Sequence, residues 1–214
     1  MKIYAHRGFS HKFPEATLAA YRGAIDVGAD GFECDVRLTK DGVAVCFHDR
    51  DTERIAGVKK RVATLTLLEL REIVEVMTLE ELLELARTNS KEVLVETKHP
   101  VLAGSKVEKV VLELSKRFKF TAMSFSLLAV LRFKRELEDV AYVIAHRWRL
   151  LYIPTDKVAI DVELFEKSWW TRKRLAKHEV LLWTVNEKRY IPKLTEWKVS
   201  AVITDRPDLP FRLG

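Results

Sequence analysis

An α/β barrel of parallel strands is the fold that the sequence predicts, and three observations predict it. Apolar, β-branched runs alternate with helical patterns almost from end to end, the signature of β-α units wound into a parallel sheet. The 214 residues can bury one sizeable core, and no Pro/Gly/Ser linker or shift of composition divides them. Nine strand candidates can be counted, enough for an eight-stranded barrel with one to spare; 158–162 is the expected spare.

Taken in order, the first strand, 3–7, closes on His6 and Arg7, with Gly8 free to turn the backbone. Pro14 opens a helix expected to run to residue 28. Strands follow at 31–36 and 43–48, separated by only about six residues, too few for a parallel crossover. The turn signal Lys40-Asp41-Gly42 lets the chain double back, returning His48 to the sheet end where Glu33 and Asp35 point. A mixed-charge loop at 50–64 leads to two capping boxes, Thr66 with Glu69 and Thr78 with Glu81, each heading a helix. Strands at 92–98, 121–125, 142–146, 158–162, 180–185 and 201–204 then alternate with helices expected at 105–118, 126–138, 164–177 and 187–197.

Composition excludes several classes. Hydrophobic residues make up 48% and charged residues 32%, which is not the make-up of a disordered chain, and no apolar run reaches membrane-span length. No signal-peptide pattern precedes His6, so a cytoplasmic location is expected. The net charge of +6 suits anionic substrates, but the sequence has no basic stripe interleaved with aromatics, and nucleic acid is not an expected partner. Cys34 and Cys46 lack metal-ligand spacing and read as small buried hydrophobes. The absence of Gln and the presence of only two Asn, beside abundant charge, fit a thermophilic source.

Strand alternation sorts the chemistry. Phe32, Cys34 and Val36 face one way, Glu33 and Asp35 the other. Single barrel-mouth acids are usually neutralised by Arg or Lys, but Glu96 joins these two at another strand end, with Lys98 on its face. Three hard oxygen donors suit Mg²⁺ or Ca²⁺. Of six histidines, His11, His99, His146 and His178 have ordinary loop, strand-end or helix-surface explanations. His6 and His48 each close an apolar strand beside another polar group, and such a pair can act as general acid and base.

These residues carry a resemblance to the glycerophosphodiester phosphodiesterase family, related in architecture to the phosphatidylinositol-specific phospholipases C. The matching pieces run in order: His6-Arg7-Gly8, Pro14 to Thr17, Gly31 to Val36, Leu38 to Gly42, Phe47-His48-Asp49, Val95 to Lys98, Trp183 to Asn186 and Ile203 to Pro207. The resemblance implies a TIM-type (β/α)8 barrel with a very short link between its second and third strands. It implies one domain over 1–214, with a short insertion at about 51–77. The implied activity is hydrolysis of a glycerophosphodiester to glycerol phosphate and an alcohol with a divalent cation, Mg²⁺, Ca²⁺ or Mn²⁺. By position, Glu33, Asp35 and Glu96 resemble the metal ligands, His6 and His48 the acid/base pair, and Arg7 and Lys98 the phosphate contacts. Trp183 is similar to the family's aromatic residue near the glycerol end. Ala16 departs from the family's usual Asn, and the short insertion implies an open mouth. Lysophospholipase D-like cleavage of lysolipids and a catalytically silent barrel binding phosphate or head groups are the rival readings.

Overall fold

The computed structural model describes residues 1–99 and 104–211. Its strands are β1 (Lys2–His6), β2 (Gly31–Leu38), β3 (Ala44–Cys46), β4 (Glu92–Thr97), β5 (Thr121–Ser124), β6 (Val140–Ile144), β7 (Lys157–Asp161), β8 (Glu179–Trp183) and β9 (Ala201–Thr204). Eight of them, all but β3, are parallel neighbours, and pairing of β1 with both β2 and β9 closes the ring. This is a TIM-type α/β barrel.

The spare strand is not 158–162. Residues Lys157–Asp161 form β7, paired with β6 and β8 inside the ring. The extra strand is β3, antiparallel to β2 through Val36↔Cys46, Arg37↔Val45 and Leu38↔Ala44. An antiparallel return needs only a tight turn, and the Thr39 hydroxyl donates to Asp41 Oδ1 at 2.5 Å within it.

The helices are α1 (Leu18–Asp26), α2 (Glu53–Ala56), α3 (Leu67–Arg71), α4 (Leu79–Thr88), α5 (Lys106–Ser115), α6 (Leu127–Phe133), α7 (Val162–Glu166), α8 (Trp169–Leu175) and α9 (Ile191–Trp197). Both capping boxes form as expected, at Thr66 and Thr78. Two expected helices differ. α1 starts at Leu18, capped by the Thr17 hydroxyl, so Pro14 and Glu15 lie in a loop before it. The pattern at 164–177 is broken at Ser168, which caps α8 and separates it from α7. Between β6 and β7 the crossover is a single 3-10 turn, Arg147–Leu151. Among the described residues no helix is long and apolar enough to cross a membrane.

Two apolar layers result from alternation. Phe32, Cys34, Val36, Val93 and Val95 join the layer between barrel and helices. Tyr4, Leu94, Met123, Val143, Leu181 and Ile203 form a separate interior cluster. His6 lies two residues past Tyr4, Glu96 two past Leu94, and both therefore arrive on the interior face at the carboxyl end of the barrel. At the opposite, amino end Gly31 lets β2 lie close against β4: a Cβ would sit 2.3 Å from the Glu92 carbonyl oxygen.

Candidate active site

β1, β2 and β4 meet in register, His6 opposite Glu33 and Asp35 opposite Glu96. The three carboxylates are almost wholly buried, and one oxygen of each lies within 4.8 Å of the others. Such a cluster is costly without compensation. Arg7 Nε pairs with Asp35 Oδ2 at 2.7 Å, and Lys98 Nζ with Asp35 Oδ1 at 2.7 Å and with Glu96.

Compensation is uneven. Burial pushes Asp35 up, yet Lys98 and Arg7 outweigh it and hold the group at about 2. Burial, then the Asp35 charge, raises Glu96 to about 7. Glu33 is pushed well above the carboxylate range by burial and by both acidic neighbours. Its Oε2 has no hydrogen-bond partner among the described residues. A buried carboxylate oxygen without a hydrogen bond, with His6 Nε2 3.8 Å away and two more carboxylates beside it, belongs to a donor set that fits a hard divalent cation.

Arg7 reaches Asp35 because the chain turns sharply after β1. Arg7 has φ 56° and Gly8 φ 81°, and a Cβ on Gly8 would lie 2.6 Å from the Ala20 carbonyl carbon. Both conformation and space exclude a larger residue at Gly8.

Each histidine is held through Nδ1 by a carboxylate. His6 Nδ1 lies 2.6 Å from Asp205 Oδ1, and His48 Nδ1 lies 2.7 Å from Asp49 Oδ1. Asp205 also accepts from Ser10 Oγ at 2.9 Å and Asn186 Nδ2 at 2.5 Å. Burial would raise it, but the His6, Asn186 and Ser10 contacts bring it to about 2. Asp49 takes Arg54 Nε at 2.5 Å. Burial pulls His48 below the usual imidazole value against the opposing pull of Asp35. With Nδ1 committed, the Nε2 atom of each ring is the one left for chemistry.

Both histidines line one cavity of about 170 Å³ together with Arg7, Glu33, Glu96 and Lys98. Its opposite wall is apolar, with Met123, Phe125, Val143 and Trp183. Trp183 packs edge-on against Phe125, ring centroids 5.6 Å apart, and its Nε1 is buried without an acceptor among the described residues. All of His6, Arg7, Glu33, His48, Glu96, Lys98 and Trp183 thus border one space, with Asp35 behind it as the anchor of both cations.

Sequence reasoning gave no site role to Asp205, Asp49, Asn186, Glu15 or Arg54, although the first four lie within the matching motif pieces. Asp205 was within reach of it, because it lies two residues past Ile203 and so inherits that residue's inward face. Arg54 carried no such signal. It lies in the mixed-charge loop and meets Glu15, 39 positions earlier, through two bonds of 2.9 and 2.7 Å.

Fold and site together define a TIM-type barrel whose carboxyl end gathers a carboxylate cluster and two carboxylate-held histidines. Residues 6–209 match the model of the Glycerophosphoryl diester phosphodiesterase family, and the chain belongs to that family. It is 41% identical over 163 residues to "Probable glycerophosphodiester phosphodiesterase 1" of Mycobacterium tuberculosis. That match covers 62% of this chain and 60% of the relative's length. It is 28% identical to "Glycerophosphodiester phosphodiesterase" of Caldanaerobacter subterraneus subsp. tengcongensis, covering 99% of this chain and 96% of that one. The crystal structure of a glycerophosphodiester phosphodiesterase from Thermotoga maritima superposes with a TM-score of 0.84 at 28% identity, over 96% of this chain and 95% of the other.

Proposed function

We propose that the chain hydrolyses glycerophosphodiesters to glycerol phosphate and an alcohol, with the barrel and its short 51–77 insertion as the working unit. The observation that carries this reading is the meeting of two carboxylate-held histidines at one cavity with a buried cluster of three carboxylates, two lining the cavity and Asp35 behind them. Family membership supports the same activity.

In this reading Glu33, Asp35 and Glu96 hold a divalent cation. When bound, that ion neutralises phosphate charge and polarises its oxygens. Arg7 and Lys98, already at the cavity wall, bind the phosphate anion. One of His6 and His48 takes the proton of the attacking oxygen through Nε2, and the other gives a proton to the departing alkoxide. Asp205 and Asp49 keep each ring's Nδ1 protonated and its Nε2 facing the cavity. The free Trp183 N–H suits a hydroxyl of the glycerol portion, with Phe125 packing beside it. The glycerol 2-hydroxyl is the proposed attacker, giving a cyclic phosphate that water then opens.

A metal-by-substrate panel scored for glycerol phosphate, with His6→Ala as control, tests the reading. Full activity in the presence of excess chelator would refute the metal assignment. Phosphorus NMR during turnover checks the cyclic intermediate.

A specific feature favours a second reading. Beside His48 lies a cavity of about 520 Å³ lined by Phe13, Pro14, Ile55, Ile73 and Val74 as well as Glu15 and Arg54. Apolar lining next to an acid/base residue would accept an alkyl or acyl chain, as lysophospholipase D-like cleavage requires. Comparing kcat/KM on soluble glycerophosphodiesters and lysolipids separates the two.

A further inference from the structure

The exposed aromatic side chains are not scattered. Among the described residues the large exposed aromatics are Trp148, Tyr152, Trp169 and Trp170, and they come from two segments, the 3-10 turn with its following residue and the start of α8. Trp148 and Trp169 are 63% and 66% exposed, and Leu151 beside them is 78% exposed. The segments touch: the Arg147 guanidinium lies 6.0 Å from the Trp170 ring centroid, and Arg174 Nε donates to the Leu150 carbonyl at 3.3 Å. A group of this kind exceeds the isolated surface apolars that need no explanation.

The same segments are strongly basic. Residues 146–152 and 167–174 hold six Lys or Arg and no carboxylate, in a chain whose whole net charge is +6. Arg147, Arg149 and Lys173 have no ion-pair partner among the described residues, and Lys173 lies 5.7 Å from the Trp169 ring centroid. No basic stripe interleaved with aromatics was legible along the sequence. The fold assembles one from two segments.

The patch follows the carboxyl ends of β6 and β7, so it emerges on the same end of the barrel as the site. Arg149 ties it to the cavity wall by donating to the Phe125 carbonyl oxygen. On that end Leu128, following β5, is also 63% exposed. Polyanions could use the cations and ring faces, but exposed Leu151 and Leu128 would stay in water. A lipid surface takes all three: aromatic rings at head-group depth, aliphatic tips below them, and cations against anionic head groups.

We propose that this rim docks the barrel, mouth first, on an anionic lipid surface. Docking rests on the functional reading only for its purpose, since it would place the site beside lipid-derived phosphodiesters.

Sedimentation with vesicles of phosphatidylcholine alone, or of phosphatidylcholine and phosphatidylglycerol in equal parts, tests docking without any substrate. Anionic vesicles should bind at least about tenfold more tightly, because each surface cation adds roughly 1 kcal/mol, or about fivefold. Trp148→Ala with Trp169→Ala, and separately Arg147→Ala with Lys173→Ala, should each weaken vesicle binding by at least about tenfold. Turnover of soluble glycerophosphocholine should be unchanged in both variants. Equal binding to both vesicle types, parent-like binding by the variants, or tighter binding to a single-stranded oligonucleotide than to anionic vesicles would each overturn the proposal. Should vesicles bind as expected while no glycerophosphodiester is turned over, docking stands and the functional reading falls.

Discussion

Asp205→Asn removes the charge that holds His6 while leaving the shape of the side chain nearly intact. The Asp205 carboxyl is brought down to about 2 although burial opposes the shift. Against an ordinary value near 3.9 that is about 2.5 kcal/mol favouring the carboxylate. The side chain is 31% exposed, so solvent screening reduces the figure to about 1–2 kcal/mol, shared among His6, Asn186 and Ser10. An amide can also present its NH₂ to Nδ1 and stabilise the wrong tautomer, moving the proton to Nε2. Together these should lower kcat by about 10- to 100-fold with KM nearly unchanged, since the defect is in proton transfer rather than binding. Initial rates of glycerol phosphate release at saturating metal measure it, with near-UV circular dichroism to check the fold. A kcat within threefold of the parent would mean that Asp205 does not position His6. The depressed value has a second consequence for stability. A carboxyl lowered on folding contributes above its unfolded value near 3.9, and the contribution is lost as pH falls toward 2. Asp205→Asn should therefore narrow the stability gap between pH 5 and pH 2.

His6→Ala and His48→Ala should each reduce kcat at least ~10²-fold, checked by the same assay. Affinity for the proposed metal should rise with pH around 7, because Glu96, raised to about 7, and Glu33, also raised, would lose protons on binding. Calorimetry in buffers of different ionisation enthalpy should detect proton release, and its absence would refute those raised values. Ala16 has φ 59°, a left-handed conformation that Asn tolerates better, and it borders the cavity beside His48, where an amide has room. Ala16→Asn should add about 0.5–1 kcal/mol, read as a Tm increase of roughly 1–4 °C.

Much of the fold and part of the site could be read from alternation alone. The period of two that put Glu33 and Asp35 on one face also places His6, Glu96 and Asp205, each two residues past an interior apolar residue. Strand assignment was less secure where pattern does not encode direction. The run at 43–48 is as apolar as its neighbours, and only the short turn before it distinguishes an antiparallel return from a barrel strand. The rim patch was invisible for another reason: its two segments are about twenty residues apart and meet only after β7 passes between them.

The misread segment at Pro14 explains what a sequence pattern leaves out. Proline before an apolar-periodic run predicts a helix start, yet the helix waits for Thr17, and the residues before it brace the site. Glu15 accepts from Arg7 at 3.2 Å on one side and from Arg54 on the other; Arg54 in turn holds Asp49, which holds His48. The chain of alternating charges therefore runs from Asp35 through Arg7, Glu15, Arg54 and Asp49 to His48, linking the carboxylate cluster on β2 to the histidine that follows β3. A helix beginning at Pro14 would carry Glu15 out of this path. The left-handed turn at Ala16, whose N–H donates to the Arg7 carbonyl at 2.9 Å, keeps Glu15 between the two arginines. Backbone strain at Ala16 is therefore tied to the site, and the stability gained by Asn there should come without loss of the His48 contact.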